Sequence, residues 1–243
     1  MVKLIQDIEN LNIQVYGDGA NFDNIVNLNN NSLIKGFTTN PTLMRKAGVE
    51  NYKDFALDLL KIIKDKPISF EVFSDDIGQM EKQAREISSW GKNVNVKIPV
   101  TNTKGVSTID IIKNLSKDNV KLNITAVFTL KQVKQLISSI NIDSETIISI
   151  FAGRIADTGI DPVPLMSKSV ELAKINKNIK ILWASPRELL NIFHAENSGC
   201  QIITVAEDII KKLSLINKNL EDFSIETVKM FYDDAQKAGY KIL

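Results

Sequence analysis

The chain has 243 residues, 44% of them hydrophobic and 24% charged, and 30 basic against 29 acidic side chains leave a formal net charge of +1. That balance gives no electrostatic case for nucleic acid or an anionic membrane as partner, although local basic groups can still hold a phosphorylated metabolite. A single cysteine, Cys200, and a single histidine, His194, argue against a disulfide framework, a His- or Cys-rich metal site or a serine-type triad. The lone thiol suits a reducing compartment, so a cytoplasmic setting is expected.

The opening segment MVKLIQDIENLNIQVYG has charges spaced through it and no long apolar core, and reads as neither leader peptide nor membrane anchor. From there short β-rich runs alternate with helical patterns. Strands are expected over 13–18, 34–38, 67–73, 93–99, 121–127, 146–151, 179–184 and 201–205. After the second strand, Phe55, Leu59 and Ile62 recur at helical spacing, flanked by Ala56, Leu60 and Ile63. After the third, Ile77, Met80, Ala84, Ile87 and Trp90 share one helical face. Asp161 before Pro162 and Ser185 before Pro186 are helix-start signals. The tail LEDFSIETVKMFYDDAQKAGYKIL adds a helix with Phe223, Val228, Phe231 and Ala235 roughly aligned, able to cap the body or reach a neighbouring subunit. Trp90 and Phe231 are expected to pack against their neighbours.

Eight strands separated by helices favour a parallel sheet. Closed on itself, it is a single-domain (β/α)8 TIM barrel spanning 1–243, with 221–243 as a C-terminal helical extension. An open doubly wound sheet is the alternative, but no Gly-rich strand-to-helix turn supports its nucleotide-binding versions.

The two-residue period of each strand sorts its side chains onto two faces. Gln14, Tyr16 and Asp18 share a face, as do Ser69, Glu71 and Phe73, Asn95 and Lys97, Asn123 and Thr125, and Ser149 and Phe151. If the apolar faces meet the helices, then Asp18, Glu71, Lys97, Asn123, Thr125 and Ser149 converge inside the barrel near the strand C-terminal ends, where such barrels carry function. An unpaired ion in a closed interior costs several kcal/mol, roughly. A satisfied ion network is the structural alternative for each residue alone; the coincidence of the whole group favours a site. Loss of hydration favours the neutral form of a lysine there, and a neutral amine is a nucleophile toward carbonyls. The resulting Schiff base withdraws electrons and lets an adjacent carbon–carbon bond break, with carboxylates moving the protons. Such chemistry requires neither metal nor organic cofactor.

Further motifs bear on the substrate. IFAGRIADTG puts Arg154 beyond a flexible Gly153, and WASPREL puts Ser185 and Arg187 at a strand end and expected helix start. Backbone N–H groups, the helix dipole and two guanidinium groups suit a phosphate there. The alternative is that Ser185 only caps the helix and Arg187 pairs with Glu188 or solvent. GFTTNPTLM supplies Thr38, Thr39 and Asn40 before a helix-starting Pro41. His194 reads as structural or surface, and Cys200 as a small buried apolar residue.

Together these motifs resemble the transaldolases, especially the small members that group with fructose-6-phosphate aldolases. The resemblance runs through DGAN (18–21), GFTTNPTL (36–43), SFEV (69–72), VKIPVTNTKG (96–105), NITAVFT (123–129), SIFAGR (149–154) and WASPR (183–187), in family order. It implies a (β/α)8 barrel that transfers a dihydroxyacetone unit in the non-oxidative pentose phosphate pathway. The implied donor is sedoheptulose 7-phosphate or fructose 6-phosphate, and the acceptor glyceraldehyde 3-phosphate or erythrose 4-phosphate. By the same resemblance Lys97 matches the Schiff-base lysine and Asp18 the acid/base of carbon–carbon cleavage, while Glu71 and Thr125 match the pair that positions a catalytic water. Asn40, Asn123 and Ser149 match residues that orient substrate hydroxyls, and Arg154, Ser185 and Arg187 match the phosphate clamp. A homo-oligomer is implied as well, in some small members a pentamer-based ring.

Fructose-6-phosphate aldolases resemble this chain in size but are expected to carry Gln where Glu71 stands and Tyr where Phe151 stands. Both positions here follow the transferase branch. Gly19 departs from the family, many of whose members have a hydroxyl residue there, and ADTGIDP after Arg154 differs from the commoner pattern. Three competing readings are an aldolase releasing free dihydroxyacetone, a deoxyribose-phosphate type of aldolase, and a non-catalytic sugar-phosphate-binding barrel. The second would pair its reactive lysine with another on a neighbouring strand, which the expected inner faces lack. The third would be expected to have lost Lys97 or its carboxylates.

Overall fold

The computed structural model describes residues 11–242, so the segment 1–10, which holds most of the stretch read as neither leader nor anchor, lies outside the described residues. The strands are β1 (Gln14–Asp18), β2 (Ile34–Thr38), β3 (Ile68–Glu71), β4 (Val94–Pro99), β5 (Leu122–Val127), β6 (Thr146–Ile150), β7 (Ile179–Trp183) and β8 (Ile202–Ala206). Every neighbouring pair is parallel, and β1 pairs with β8 to close the barrel. The expected (β/α)8 architecture is the observed one.

Helices fill the connections in chain order: α1 (Phe22–Asn29), α2 (Pro41–Lys46), α3 (Tyr52–Ile62), α4 (Ile77–Ser88), α5 (Ile109–Lys117), α6 (Leu130–Ser139), α7 (Ala152–Ala156), α8 (Val163–Ala173), α9 (Leu190–Asn197), α10 (Glu207–Lys211) and α11 (Leu220–Ala238). Short polar side chains start several of them. Asn21, Asn40, Asn51 and Asp76 each accept a bond from the backbone N–H three residues on, and Thr129 and Gln132 form a capping box. On the outer strand faces Phe70, Val96, Ile98, Ile124, Ile148 and Ile181 are completely buried against these helices. Tyr16, Ile147, Leu182 and Ile202 plug the barrel interior. Gly36 makes room for the tyrosine: a Cβ there would lie 2.7 Å from its ring.

Four expectations need correction. β3 ends at Glu71, so Phe73 does not share its inner face; it is 52% exposed, with its ring 4.4 Å from that of Tyr52. In α3 the buried stripe is Ala56, Leu59 and Leu60, continued by Ile63, whereas Ile62 faces outward, because 3.6 residues per turn carries position 62 past the seam. Pro186 does not open a helix: α9 begins at Leu190, and Asn191 Oδ1 instead collects the N–H groups of Arg187 and Glu188. Finally, α11 does not cap the barrel. None of its residues is buried, and Phe223, Val228 and Phe231 are all exposed, so the expected packing of Phe231 is not found among the described residues. Trp90 does pack, against Tyr52 and Phe70.

Candidate active site

The register of the sheet decides which polar groups meet. Glu71 and Lys97 are direct partners across β3 and β4, and Lys97 and Asn123 across β4 and β5. Lys97 Nζ stands 2.9 Å from Glu71 Oε2 and donates to the Thr39 carbonyl at 2.7 Å, with the residue only 6% exposed. The amine is thus held in a hydrogen-bonded ion pair, a different arrangement from the isolated amine that loss of hydration alone suggests. Tyr52 secures the carboxylate's backbone from α3: its hydroxyl accepts the Glu71 N–H at 2.7 Å and lies 3.1 Å from the Glu71 carbonyl.

Asp18 ends β1 opposite Thr38 of β2. Thr38 Oγ1 donates to Asp18 Oδ1 at 2.8 Å and lies 2.5 Å from Thr204 Oγ1 on β8. A hydroxyl has one proton, so with Thr38 donating to the carboxylate, Thr204 donates to Thr38. Burial pushes the Asp18 carboxyl above the ordinary carboxylate range, opposed by attraction to Lys97 and by the Thr38 bond.

Deeper in the barrel, Ser149 Oγ donates to Asn123 Oδ1 at 2.6 Å, and Asn123 Nδ2 donates to Ser69 Oγ at 3.0 Å. Thr125 Oγ1 is buried and has no hydrogen-bond partner among the described residues. The next residue, Ala126, has φ +58°, where the β5–β6 register shifts. Ser185, at the end of β7, has φ +59°. Each costs about 1–3 kcal/mol of backbone strain. Both line the cavity into which Asp18, Asn40, Glu71, Lys97, Thr125, Ser149, Phe151 and Arg154 open, a space of about 520 Å³.

Most site residues named from the sequence therefore converge. Asn123 sits beneath the cavity wall, hydrogen-bonded to Ser149 and Ser69. Asn40 spends its Oδ1 on capping α2. Arg154 lies with its guanidinium carbon 5.8 Å from the Phe151 ring centre, on the rim. Arg187 stands outside the cavity in a bidentate pair with Asp157, its Nε 3.0 Å from Oδ1 and its second nitrogen also bound to Oδ2. Neither Glu188 nor a helix N-terminus is its partner. Gly153 is there for close approach: a Cβ would fall 1.5 Å from the Ser185 carbonyl oxygen.

Sequence reasoning did not name Thr204, Tyr52, Phe128 or Asp157. Thr204 was accessible, since the two-residue period of β8 gives it an inner position. Phe128, tilted against Phe151 with centroids 5.7 Å apart, follows the irregular end of β5 and had no periodic signal. Away from the cavity, His194 lies beside Trp183, and burial pushes the Cys200 thiol up to about 12, far from a reactive thiolate. Among the described residues no helix is long and apolar enough to cross a membrane.

Among solved structures, the tryptophan synthase α subunit of Campylobacter jejuni superposes with a TM-score of 0.55 at 16% identity, covering 91% of this chain and 96% of that one. That likeness concerns the fold alone. Fold and site together define a (β/α)8 barrel protein whose polar centre lies at the carboxyl ends of its strands. Residues 15–242 match the family model described as Transaldolase/Fructose-6-phosphate aldolase, and the chain belongs to that family. A probable transaldolase of Dehalococcoides mccartyi is 30% identical over 93% of this chain and 100% of its own length. One from Thermoanaerobacter sp. is 32% identical over 93% of this chain and 98% of its own. Membership makes the protein an enzyme of the transaldolase-like kind.

Proposed function

We propose that the protein is a transaldolase that moves a dihydroxyacetone unit between sugar phosphates through a Schiff base on Lys97. The observation that carries this reading is the Lys97–Glu71 pair, 2.9 Å apart at the wall of a cavity that Asp18 also lines. Glu71 takes a proton from the ammonium, and the freed amine adds to the ketose carbonyl. Loss of water leaves an iminium. Asp18 then takes the proton of the donor hydroxyl, the adjacent carbon–carbon bond breaks, and an aldose leaves while an enamine stays on Lys97. The enamine attacks the acceptor aldehyde, Asp18 returns the proton to the new hydroxyl, and water, positioned by Glu71 and Thr125, releases the product.

In this reading Asn40 and Ser149 orient substrate hydroxyls, with Asn123 fixing Ser149 from below. Arg154 and Ser185 receive the phosphate. Arg187 joins them only by releasing Asp157. The donors are sedoheptulose 7-phosphate or fructose 6-phosphate, the acceptors glyceraldehyde 3-phosphate or erythrose 4-phosphate. Transfer rather than free aldol cleavage is favoured by Phe151, packed against Phe128, because a phenyl ring has no proton to give the enamine. Borohydride reduction with fructose 6-phosphate should add mass to the Lys97 peptide; no adduct at saturating substrate would reject the Schiff base. Release of dihydroxyacetone from fructose 6-phosphate as fast as transfer to erythrose 4-phosphate would make the enzyme an aldolase instead.

The exposed apolar residues of α11 support assembly of the cytoplasmic enzyme into a homo-oligomer, with a pentamer-based ring as one arrangement. Light scattering on the full chain and on one lacking residues 221–243 tests this: an unchanged mass on truncation removes α11 from the interface.

A further inference from the structure

The opposite end of the barrel carries a second polar concavity. It measures about 430 Å³ and receives four lysines, Lys92, Lys121, Lys177 and Lys180, against two carboxylates, Asp65 and Glu145. Glu145 is taken by Lys121, at 3.2 Å. Among the described residues Lys92, Lys177 and Lys180 have no ion-pair partner. Lys180 lies in β7, on the same strand face as Leu182 and Ala184, whose side chains line the barrel interior.

A cluster of surface lysines alone would be a solvated rim. Here the wall supplies an independent sign of a ligand. Asn95 is 6% exposed, lies on the inner face of β4 two residues before Lys97, and its amide makes no hydrogen bond within the described protein. Tyr16 is 2% exposed, and its hydroxyl likewise has no protein partner. Burial pushes that phenol up to about 12, so it stays a donor, and the close fit over Gly36 fixes its ring. The polar ends of Asn95 and Tyr16 open into the concavity, and Thr146 Oγ1 on the same wall is buried with no hydrogen-bond partner among the described residues. Buried polar atoms are normally satisfied, so this cationic concavity is a place shaped for a polar anion.

We propose that the amino-terminal mouth of the barrel is a second ligand site, which takes a small phosphate dianion among Lys92, Lys177 and Lys180 with the Asn95 amide beneath it. Ammonium groups on flexible stems suit a phosphate as point charges, without the bidentate geometry an arginine would impose. The volume admits inorganic phosphate or a three-carbon phosphate ester whose hydroxyls reach Asn95 and Tyr16. The site's concave shape and the near-neutral chain do not suit a nucleic acid. Its existence does not depend on the chemistry at Lys97, because the buried side chains of Tyr16, Ile147, Leu182 and Ile202 fill the interior.

The test is calorimetric titration of the full chain with inorganic phosphate and, separately, with glycerol 1-phosphate. Arg154→Gln removes the anion contact at the other mouth and should leave about one binding event per chain for at least one probe. In that background Lys177→Gln with Lys180→Gln, both exposed positions, should weaken binding about tenfold or more, and Asn95→Ala should weaken it further for the ester. Lys113→Gln with Lys117→Gln is the charge-matched control on α5 and should bind as its parent does. Whichever probe binds more tightly identifies the source of the phosphate. Loss of all binding in Arg154→Gln overturns the proposal, as does unaltered affinity in the Lys177/Lys180 variant or an equal loss in the control. Borohydride trapping at Lys97 is untouched by any of these outcomes, so the two readings fail separately.

Discussion

The Glu71 carboxylate and the Lys97 ammonium stand 2.9 Å apart because the two residues are direct partners across β3 and β4. The pair is nearly dry, and the Thr39 carbonyl takes a further proton of the ammonium. Charge, register and burial therefore bear on one another at this point.

Replacing Lys97 by Met should abolish three-carbon exchange and borohydride trapping. It should also leave Glu71 without its partner, at a cost of about 1–3 kcal/mol, below the figure for a fully buried broken pair because Glu71 keeps some solvent contact. Lys97→Met with Glu71→Gln should regain part of that stability while staying inactive. Urea unfolding of the single and double variants measures both effects; a double variant less stable than the single one would contradict the account.

Asp18 governs two pH dependences. Its carboxyl is raised in the folded protein, so between the ordinary carboxylate range and that raised value the native state binds more protons than the unfolded one. Its contribution to stability is thus fully present below the unfolded pKa and lost as pH rises through the folded one. Asp18→Asn should be more stable than the parent at neutral pH, with the gap closing in acid, and should lose about 10²–10⁴-fold in exchange rate. The parent's kcat/KM should rise with pH along a limb above the usual carboxylate range.

Thr38→Val removes a hydrogen bond that holds Asp18 toward its ionised form and takes away the acceptor for the Thr204 hydroxyl. The acid limb of kcat/KM should move to higher pH, and stability should fall by about 1–3 kcal/mol. A merely structural role would lower stability without moving the limb.

Gly153→Ala would place a methyl group 1.5 Å from the Ser185 carbonyl oxygen, so the backbone of the β7 exit has to shift. Destabilisation of about 1–3 kcal/mol is expected, as for other overpacked sites. KM for phosphorylated substrates should rise more than kcat falls, since Ser185 lines the proposed phosphate end of the cavity.

Asp157→Asn tests whether Arg187 is held in reserve. The Arg187 guanidinium keeps the Asp157 carboxyl below its usual range, and the pair is exposed, so Tm should scarcely change. If Arg187 serves the phosphate, the freed side chain should lower KM for phosphorylated acceptors, and Arg187→Gln should raise it. Unchanged KM in both variants would assign Arg187 to the surface.

Strand positions, the barrel and the inner placement of Lys97, Glu71, Asp18 and Thr125 were determined by the sequence alone. The two-residue alternation that sorts a strand's faces is set by each residue's immediate neighbours, and eight repeats of strand and helix leave few ways to cover both faces of a parallel sheet. Where a strand ended early or a helix started late, as at Phe73 and Leu190, the local signals were weaker and the reading drifted.

What the tertiary structure alone decided joins residues far apart in the chain. Thr204 reaches Thr38 only because β8 closes on β1, Arg187 meets Asp157 only where two exit loops lie side by side, and the lower lysines gather only because the barrel brings three connections to one mouth. The pattern of α11 likewise foretold an apolar stripe but not its exposure. A side chain's face follows from local backbone geometry, whereas its partner follows from how the closed chain shares out charge, hydrogen bonds and space.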